Sequence, residues 1–112
     1  MLTIGFMDMT PSQLRAFHLV AEAGSFSAAA RDSGLSQPNL SGQVTALEKA
    51  YGVRLFDRRG RQVVPTETGR QLQGITARLF AVQDEAQALL AGEQTLTRGH
   101  LRIAADSVPS SR

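Results

Sequence analysis

The apolar residues of the first part of the chain recur at helical spacing, in segments separated by single glycines. The first segment covers residues 11 to 23 and places apolar side chains on one side, at Leu14, Phe17, Val20 and Ala21. This spacing predicts an amphipathic helix. Thr10 and Pro11 form a helix-start signal, because the hydroxyl can accept from a first-turn amide and proline already holds the helical φ. Gly24 marks the end of this helix.

A second helix is predicted over residues 26 to 33, with Ser25 as its cap. Gly34 follows it, and Ser36 is placed to cap a third helix that begins at Gln37. Helix, short glycine-containing turn and helix is the spacing of a helix-turn-helix. Leu35 is expected to fill the inside of that turn.

The third helix is expected to end before Gly52 and to have two different sides. Its buried stripe is predicted to consist of Leu40, Val44, Leu47 and Tyr51. The opposite line carries Pro38, Gly42, Thr45 and Lys49, and it is flanked near the start of the helix by Gln37, Asn39 and Ser41. Short polar groups and amides with few charges are unusual on a merely solvated side, so this side is a candidate for reading base edges.

Two short strands are predicted next, one at Leu55 and Phe56 and the other at Val63 and Val64. They enclose a basic tip that contains Arg58, Arg59, Gly60 and Arg61. A hairpin in this place is a wing. The predicted fold class is therefore mainly α, a winged helix-turn-helix with three helices and a two-stranded wing over residues 1 to 65.

A long helix is predicted after Pro65, with Thr66 as its cap and an end at about Ala91, ahead of Gly92. Its apolar residues alternate steps of three and four, as in a coiled coil: Leu72, Ile75, Leu79, Val82, Ala86 and Leu89. A one-sided stripe of this length needs a partner, so residues 66 to 92 are interpreted as a dimerising linker helix. The alternative is that the stripe packs on its own winged domain.

From Glu93 the sequence changes to a polar segment that predicts a hinge. Residues 101 to 104 then alternate like the opening of a strand, and a single strand is not stable alone. Residues 93 to 112 are therefore interpreted as a hinge and the truncated start of another domain.

Composition adds little to this picture except at the wing. The 12 basic and 10 acidic residues leave a net charge of only +2, and 42% of the residues are apolar, as suits a folded domain. Residues 54 to 61, however, contain four arginines and one aspartate, Asp57, which is a local charge of +3. A polyanion would be attracted to such a loop, although a solvated charged loop has the same composition.

Several classes of function find no support. The chain has no cysteine, and His18 and His100 are isolated, so no disulfide, metal site or cofactor is expected. No nucleophile with a base and no glycine-rich phosphate loop is present, and Asp57 is interpreted as a charge partner, so the chain is not expected to be an enzyme. The first residues contain neither a signal peptide nor a membrane span, and a cytoplasmic protein without membrane contact is expected.

The candidate chemistry is recognition of double-stranded DNA. The amides of Gln37 and Asn39 can donate to and accept from base edges in the major groove, although either can instead be a helix-start or surface residue. Ser36 and Ser41 have the size to reach phosphates or bases, and free amides at the start of the helix can bind a phosphate. Phosphate or minor-groove contacts are expected from the wing, at Arg58, Arg59 and Arg61.

The segment from Ala16 to Gly69 resembles the N-terminal domain of LysR-type transcriptional regulators, and the resemblance extends over about residues 10 to 92. The similarity is carried by AEAGSFSAAA, LSQPNLSGQV, LEKAYGVRLFDR and TETG, and the later GHLRIA resembles the start of the effector-binding domain of that family. The resemblance implies a bacterial homodimer or tetramer that binds an interrupted palindrome near a promoter and responds to a small-molecule inducer. The DNA contacts it implies are Ser36, Gln37, Pro38, Asn39, Ser41, Thr45, Arg58, Arg59 and Arg61.

The sequence departs from the family at Gly42, where an arginine that contacts DNA is common. Either the target sequence is unusual, or affinity is shifted to the wing. The resemblance also places Ser107 where an inducer contact is expected, near the end of the first strand of the effector domain.

Two other functions share much of this pattern. A winged helix kept for docking with a coiled-coil stem would have no affinity for DNA, and an RNA-binding winged helix would prefer single-stranded or A-form RNA. The sequence lacks the clustered aromatic residues that stack on unpaired bases, which argues against the RNA alternative.

Overall fold

A computed structural model describes residues 9–110, and the side chains of residues 9–93. Its elements follow in the order α1 (Pro11–Ala23), α2 (Phe26–Ser33), α3 (Gln37–Tyr51), β1 (Phe56–Arg59), β2 (Gln62–Pro65) and α4 (Glu67–Ser110). The predicted winged helix-turn-helix followed by a long helix is therefore confirmed. Two compact units divide the chain between Ala77 and Arg78, so the first unit contains the winged domain and the first turns of α4.

The helices of the first unit begin where side-chain caps satisfy their first amides. The hydroxyl of Thr10 accepts from the amide of Gln13, whose side chain in turn accepts from the Thr10 amide, which is a capping box. Ser25 caps α2 and Ser36 caps α3 in the same way. Between α2 and α3, Gly34 has a φ of +81°, a conformation that glycine adopts without steric cost.

The core lies where α1, α2 and α3 meet the base of the wing. Phe17, Val20 and Leu40 have no exposed surface, and Val44 and Leu47 are nearly as well buried. The ring of Phe56 stacks on Phe17 at 5.2 Å between centroids and meets the edge of Phe26 at 6.2 Å. This cluster closes the small core of the winged domain.

Two apolar residues that were expected to be buried in the winged domain lie at its surface. Tyr51, predicted as the last member of the buried stripe, is 40% exposed, because it ends α3 just before Gly52 turns the chain away. Leu35 was expected to fill the turn between α2 and α3 but is also 40% exposed. The remaining stripe of Leu40, Val44 and Leu47 is buried as predicted.

The wing is an antiparallel hairpin in which Arg59 pairs with Gln62 and Phe56 pairs with Pro65. Its strands are shifted relative to the prediction: Leu55 lies just before β1, and β1 continues through two of the arginines. The turn is reduced to Gly60 and Arg61, and Gly60 has a φ of +68°. A two-residue hairpin with glycine first has this requirement.

Hydrogen bonds tie the wing to the helices on both sides. The carboxylate of Glu48 in α3 accepts from the amides of Leu55, at 2.8 Å, and Phe56, at 3.4 Å. On the other strand, the amide of Val63 donates to the carbonyl of Gly24 at 3.0 Å. These bonds satisfy backbone groups that a two-stranded sheet leaves unpaired and hold the wing in a fixed place.

The start of α4 packs against the winged domain. Thr66 caps it, and the amide of Gly69 donates to the Thr66 hydroxyl at 3.0 Å. Leu72 packs on the core, and Thr76 is fully buried. The Thr76 hydroxyl donates to the carbonyl of Gln73 and is hydrogen-bonded to Nδ1 of His18 at 2.9 Å.

The first turn of α4 also carries a surface ion pair. The guanidinium of Arg70 donates to the Glu67 carboxylate at 2.6 Å, and with a hydrogen bond from Gln71 it lowers the pKa of Glu67. Both side chains are exposed, so solvent screens this pair.

The predicted end of α4 near Ala91 is wrong, because the helix continues through Gly92 to Ser110. Residues 101 to 104, which were expected to open a strand, are helical as well. A helix satisfies its backbone hydrogen bonds within one segment, whereas a strand at this place needs a neighbouring strand. No helix of the described residues is long and apolar enough to cross a membrane.

The close contact at Gly69 predicts that the fold does not tolerate a side chain at this position. A Cβ built on Gly69 would collide with the carbonyl oxygen of Leu55 and touch Pro65. We expect Gly69→Ala to destabilise the domain by about 2 kcal/mol, measured by urea unfolding. The control is Gly74→Ala in the same helix, where a Cβ meets nothing within 4 Å and stability should rise by about 0.5 kcal/mol. Equal effects of the two changes would contradict this account.

The bonds of Glu48 lead to a second expectation. Glu48→Ala leaves the buried start of β1 without an acceptor, so the free energy of unfolding should fall by about 2 kcal/mol. Glu48→Gln keeps one acceptor oxygen and should lose less than half as much. Lys49→Ala, next in the chain and exposed, should change stability by less than about 0.5 kcal/mol. A loss in Glu48→Gln as large as that in Glu48→Ala would rule out the hydrogen-bonding role.

Candidate nucleic-acid interface

The start of α3 lies at the surface of the winged domain. Ser36, Gln37, Pro38 and Asn39 are all exposed, and Ser41 and Thr45 are partly exposed. The opposite side of the helix is fixed in the core by its buried apolar stripe. The residues predicted to contact DNA from this helix are therefore all accessible, and Gln37 and Asn39 lie on different flanks of its first turn.

The amides at the start of α3 are mostly occupied. Pro38 has no N–H, the amide of Asn39 donates to the Ser36 hydroxyl at 3.1 Å, and that of Leu40 donates to the Ser36 carbonyl at 3.1 Å. The predicted role of Ser36 as a cap is thereby confirmed. The expected phosphate site of free amides is reduced to the amide of Gln37, because the other first-turn groups have partners or are absent.

Gly42 lies in the middle of the exposed side of α3. A Cβ added there would meet nothing within 4 Å, and glycine in a helix interior costs about 1 kcal/mol relative to alanine. Around it is a shallow open hollow, lined by Ser36, Pro38, Asn39, Gly42 and Gln43. The fold itself does not need a glycine at this position.

The three wing arginines do not form one patch. Arg58 shares the inner side of β1 with Phe56, and its guanidinium lies 4.8 Å from the centroid of the Phe26 ring, a cation–π distance. Arg59 is on the outer side, and Arg61 is at the turn. All three are exposed, so the wing presents positive charge on two sides and at its tip.

Asp57 has the role predicted for it. Its carboxylate lies 3.8 Å from the guanidinium of Arg54, which also donates to the carbonyl of Phe56 at 3.1 Å. This pair removes one arginine from the local excess of charge. The positive charge of the wing therefore comes from the three arginines nearest its tip.

The dimensions of these elements suit a DNA groove. An α-helix with its side chains is about 10–12 Å across, and the major groove of B-DNA is about 12 Å wide. The side-chain amides of Gln37 and Asn39 lie in the exposed first turn of α3. The wing belongs to the same compact unit, so helix and wing are held by one core.

Sequence reasoning missed three residues that place these elements. Glu48 fixes the wing to α3, Gly69 lets α4 approach Leu55, and Thr76 buries a hydroxyl beneath α1. The TETG motif carries part of the family resemblance, but nothing in it indicates a close backbone contact. Among the described residues, no cluster of acidic and histidine side chains suits a metal ion. Ser107 lies outside the residues whose side chains are described.

The stripe on α4 divides between the two units. Leu72 packs on the core of its own domain. The alternative interpretation, in which the whole stripe packs on the winged domain, therefore describes this residue. Ile75 in the first unit and Leu79 in the second are about half exposed, and Val82 and Leu89 are 61% and 64% exposed. The stripe residues beyond Leu72 are therefore exposed, from 44% at Leu79 to 64% at Leu89.

Comparison with known proteins identifies this arrangement. The family model described as "Bacterial regulatory helix-turn-helix protein, lysR family" matches residues 11–70. The RuBisCO operon transcriptional regulator of Allochromatium vinosum is 40% identical over 101 residues, which are 90% of this chain and 33% of that protein. The HTH-type transcriptional activator CmpR of Synechocystis sp. is 36% identical over 97 residues, 87% of this chain and 32% of that protein.

Solved structures show the same likeness. The BenM_DBD/benA site 1 DNA complex matches with a TM-score of 0.66 at 31% identity, covering 74% of this chain and 96% of that one. The CbnR_DBD-DNA complex matches with a TM-score of 0.65 at 31% identity, covering 77% and 99%. This chain spans about a third of the length of the curated relatives named above. With the family model matching more than half of its residues, the chain belongs to the lysR family of bacterial regulatory helix-turn-helix proteins.

Proposed function

We propose that this chain is the sequence-specific, double-stranded DNA-binding part of a transcriptional regulator and has no enzymatic activity. The observation that carries the proposal is the exposed start of α3, which presents Gln37 and Asn39 while the apolar stripe of the helix is fixed in the core. The comparison structures of similar fold include DNA complexes, and the relatives are named as transcriptional regulators.

In this proposal α3 enters the major groove and the wing contacts the backbone beside it. Gln37 and Asn39 read base edges, since an amide can donate and accept at once. Thr45, Ser41 and Pro38 lie along the same side of the helix and complete the contact surface. The main role of Ser36 is to cap the start of the helix, because its hydroxyl already accepts from the backbone amide of Asn39. A contact with DNA is its secondary role.

The wing arginines have different proposed roles. Arg59 and Arg61 contact phosphates or the adjacent minor groove and supply affinity that does not depend on sequence. Arg58 is held over Phe26, so its guanidinium is positioned before DNA arrives and loses less conformational freedom on binding.

We also propose that α4 pairs with α4 of a second copy. The pairing surface consists of Ile75, Leu79, Val82, Ala86 and Leu89, without the predicted Leu72, which packs on its own core. Such a dimer presents two winged domains, and two half-sites of an interrupted palindrome near a promoter would match its two-fold symmetry. We further propose that such dimers can assemble into a tetramer. A further domain would bind a small-molecule inducer, with Ser107 as one of the contacts.

Substitutions at α3 and at the wing should affect DNA binding differently. Selection from a random pool of duplexes supplies the preferred sequence, and mobility shifts compare it with a scrambled duplex at several salt concentrations. We expect Gln37→Ala to lower the ratio of specific to scrambled affinity about tenfold, because it removes a base contact. Arg59→Ala should weaken both duplexes equally and reduce the salt slope by about one unit.

The control for Arg59→Ala is Arg78→Ala, which removes the same charge outside the helix-turn-helix and wing and should leave the salt slope unchanged. Equal losses on both duplexes in Gln37→Ala would contradict base reading by this residue. Failure of the wild-type chain to select any duplex, or preference for an RNA competitor, would contradict the proposed function itself.

The dimer has its own test. Val82→Asp places a carboxylate on each side of the proposed seam, so it should raise the dissociation constant roughly a hundredfold, measured by sedimentation equilibrium. Ala81→Asp adds the same charge at the neighbouring exposed position, off the stripe, and should leave the dimer intact. A monomeric wild-type chain at high concentration, or equal dissociation of both variants, would contradict pairing through this stripe.

A further inference from the structure

Gly42 is not explained by the fold. Its φ is not positive, so any residue can adopt its backbone conformation. A Cβ at this position would also meet nothing within 4 Å, so packing does not exclude one. This contrasts with Gly69, where a Cβ would collide with a carbonyl oxygen.

The missing side chain changes the surface of the proposed DNA-contacting side. A helical residue covers the turn on its N-terminal side, so a side chain at position 42 would lie over Pro38 and Asn39. Because Gly42 has none, no side chain from this position covers the hollow that Pro38 and Gly42 help to line. Asn39 and Gln43, whose side chains carry amide groups, also line the hollow.

This combination suits one kind of base pair. In the major groove, the C5 methyl of thymine is the apolar group that projects from a base pair, and adenine presents N7 and its amino group beside it. A methyl group can enter a shallow open hollow that a proline lines, and a neighbouring side-chain amide can bond to adenine by donating and accepting. A guanine–cytosine pair offers polar groups and no methyl to this surface.

We infer that the hollow at Gly42 receives the C5 methyl of a thymine, and that Gly42 thereby determines specificity for an adenine–thymine pair in each half-site. The inference rests on the proposed DNA-binding function and adds to it a residue that acts through the space it leaves. Close approach of helix and base is what a glycine permits and any larger residue opposes.

The test uses the duplex selected by the whole 112-residue chain and derivatives in which each thymine in turn is replaced by deoxyuridine, which lacks only the methyl group. Affinity is measured by fluorescence anisotropy. For the wild-type chain, one replacement per half-site should weaken binding about fourfold, the effect of one buried methyl group. The other replacements should have little effect.

Gly42→Ala adds a methyl group at the hollow and should bind the thymine duplex less tightly, with a smaller difference between thymine and deoxyuridine at that position. Its melting temperature should rise, which excludes a folding defect. The matched control is Gly74→Ala, another helical glycine whose Cβ has open space, which should gain stability and keep the fourfold preference.

Two results would overturn the inference and separate it from the function on which it rests. If the wild-type chain binds the selected duplex but no thymine replacement matters, or Gly42→Ala keeps the full preference, the inference alone is wrong. If the wild-type chain binds no duplex, the proposed function is wrong and the inference with it.

Discussion

The ring of Phe56 packs against the rings of both Phe17 and Phe26. These two contacts join the wing to α1 and α2. Phe17 belongs to α1, Phe26 begins α2, and Phe56 begins the first strand of the wing. Aromatic rings bury large areas and prefer stacked or edge-on arrangements, so the cluster fixes both distance and orientation. The wing would otherwise be a two-stranded hairpin, which is marginally stable by itself.

Backbone hydrogen bonds then complete what the aromatic cluster begins. The carboxylate of Glu48 accepts from the two amides at the entry to the wing, and Val63 donates to the carbonyl of Gly24. Each of these groups would be costly to bury without a partner. The side of α3 that faces outward is therefore connected to the wing by one carboxylate on the same helix, and a movement of either element would break satisfied bonds.

Because these contacts hold α3 and the wing in place, most residues on the outward side of α3 are not needed to stabilise the fold. Ser36 caps the helix, but Gln37 and Gly42 are not needed for packing. A residue that lowers helix stability without serving the fold, in the middle of an exposed side, is best explained by what that side contacts. The same reasoning applies to Val82 and Leu89 in the second unit, whose exposed apolar surface has a cost in water.

The sequence by itself determined the elements whose signals are local. The caps at Thr10, Ser25 and Ser36 and the glycines that follow α1 to α3 set the bounds of three helices, since both act within one turn. Helical spacing also identified Leu40, Val44 and Leu47 as core, and the exposed start of α3 as the candidate site. The strand at residues 101 to 104 was predicted wrongly because alternation of apolar residues does not reveal whether a neighbouring strand is present.

Only the tertiary structure decided which groups meet across long stretches of chain. Glu48 accepts from Leu55, His18 meets Thr76, and Arg58 lies over Phe26, and no periodic pattern encodes these contacts. It also showed that Leu72 packs on its own domain and that Gly42 borders an open hollow. The physical reason is that capping and periodicity depend on neighbours within a few residues, whereas burial and close approach depend on how complete elements pack together.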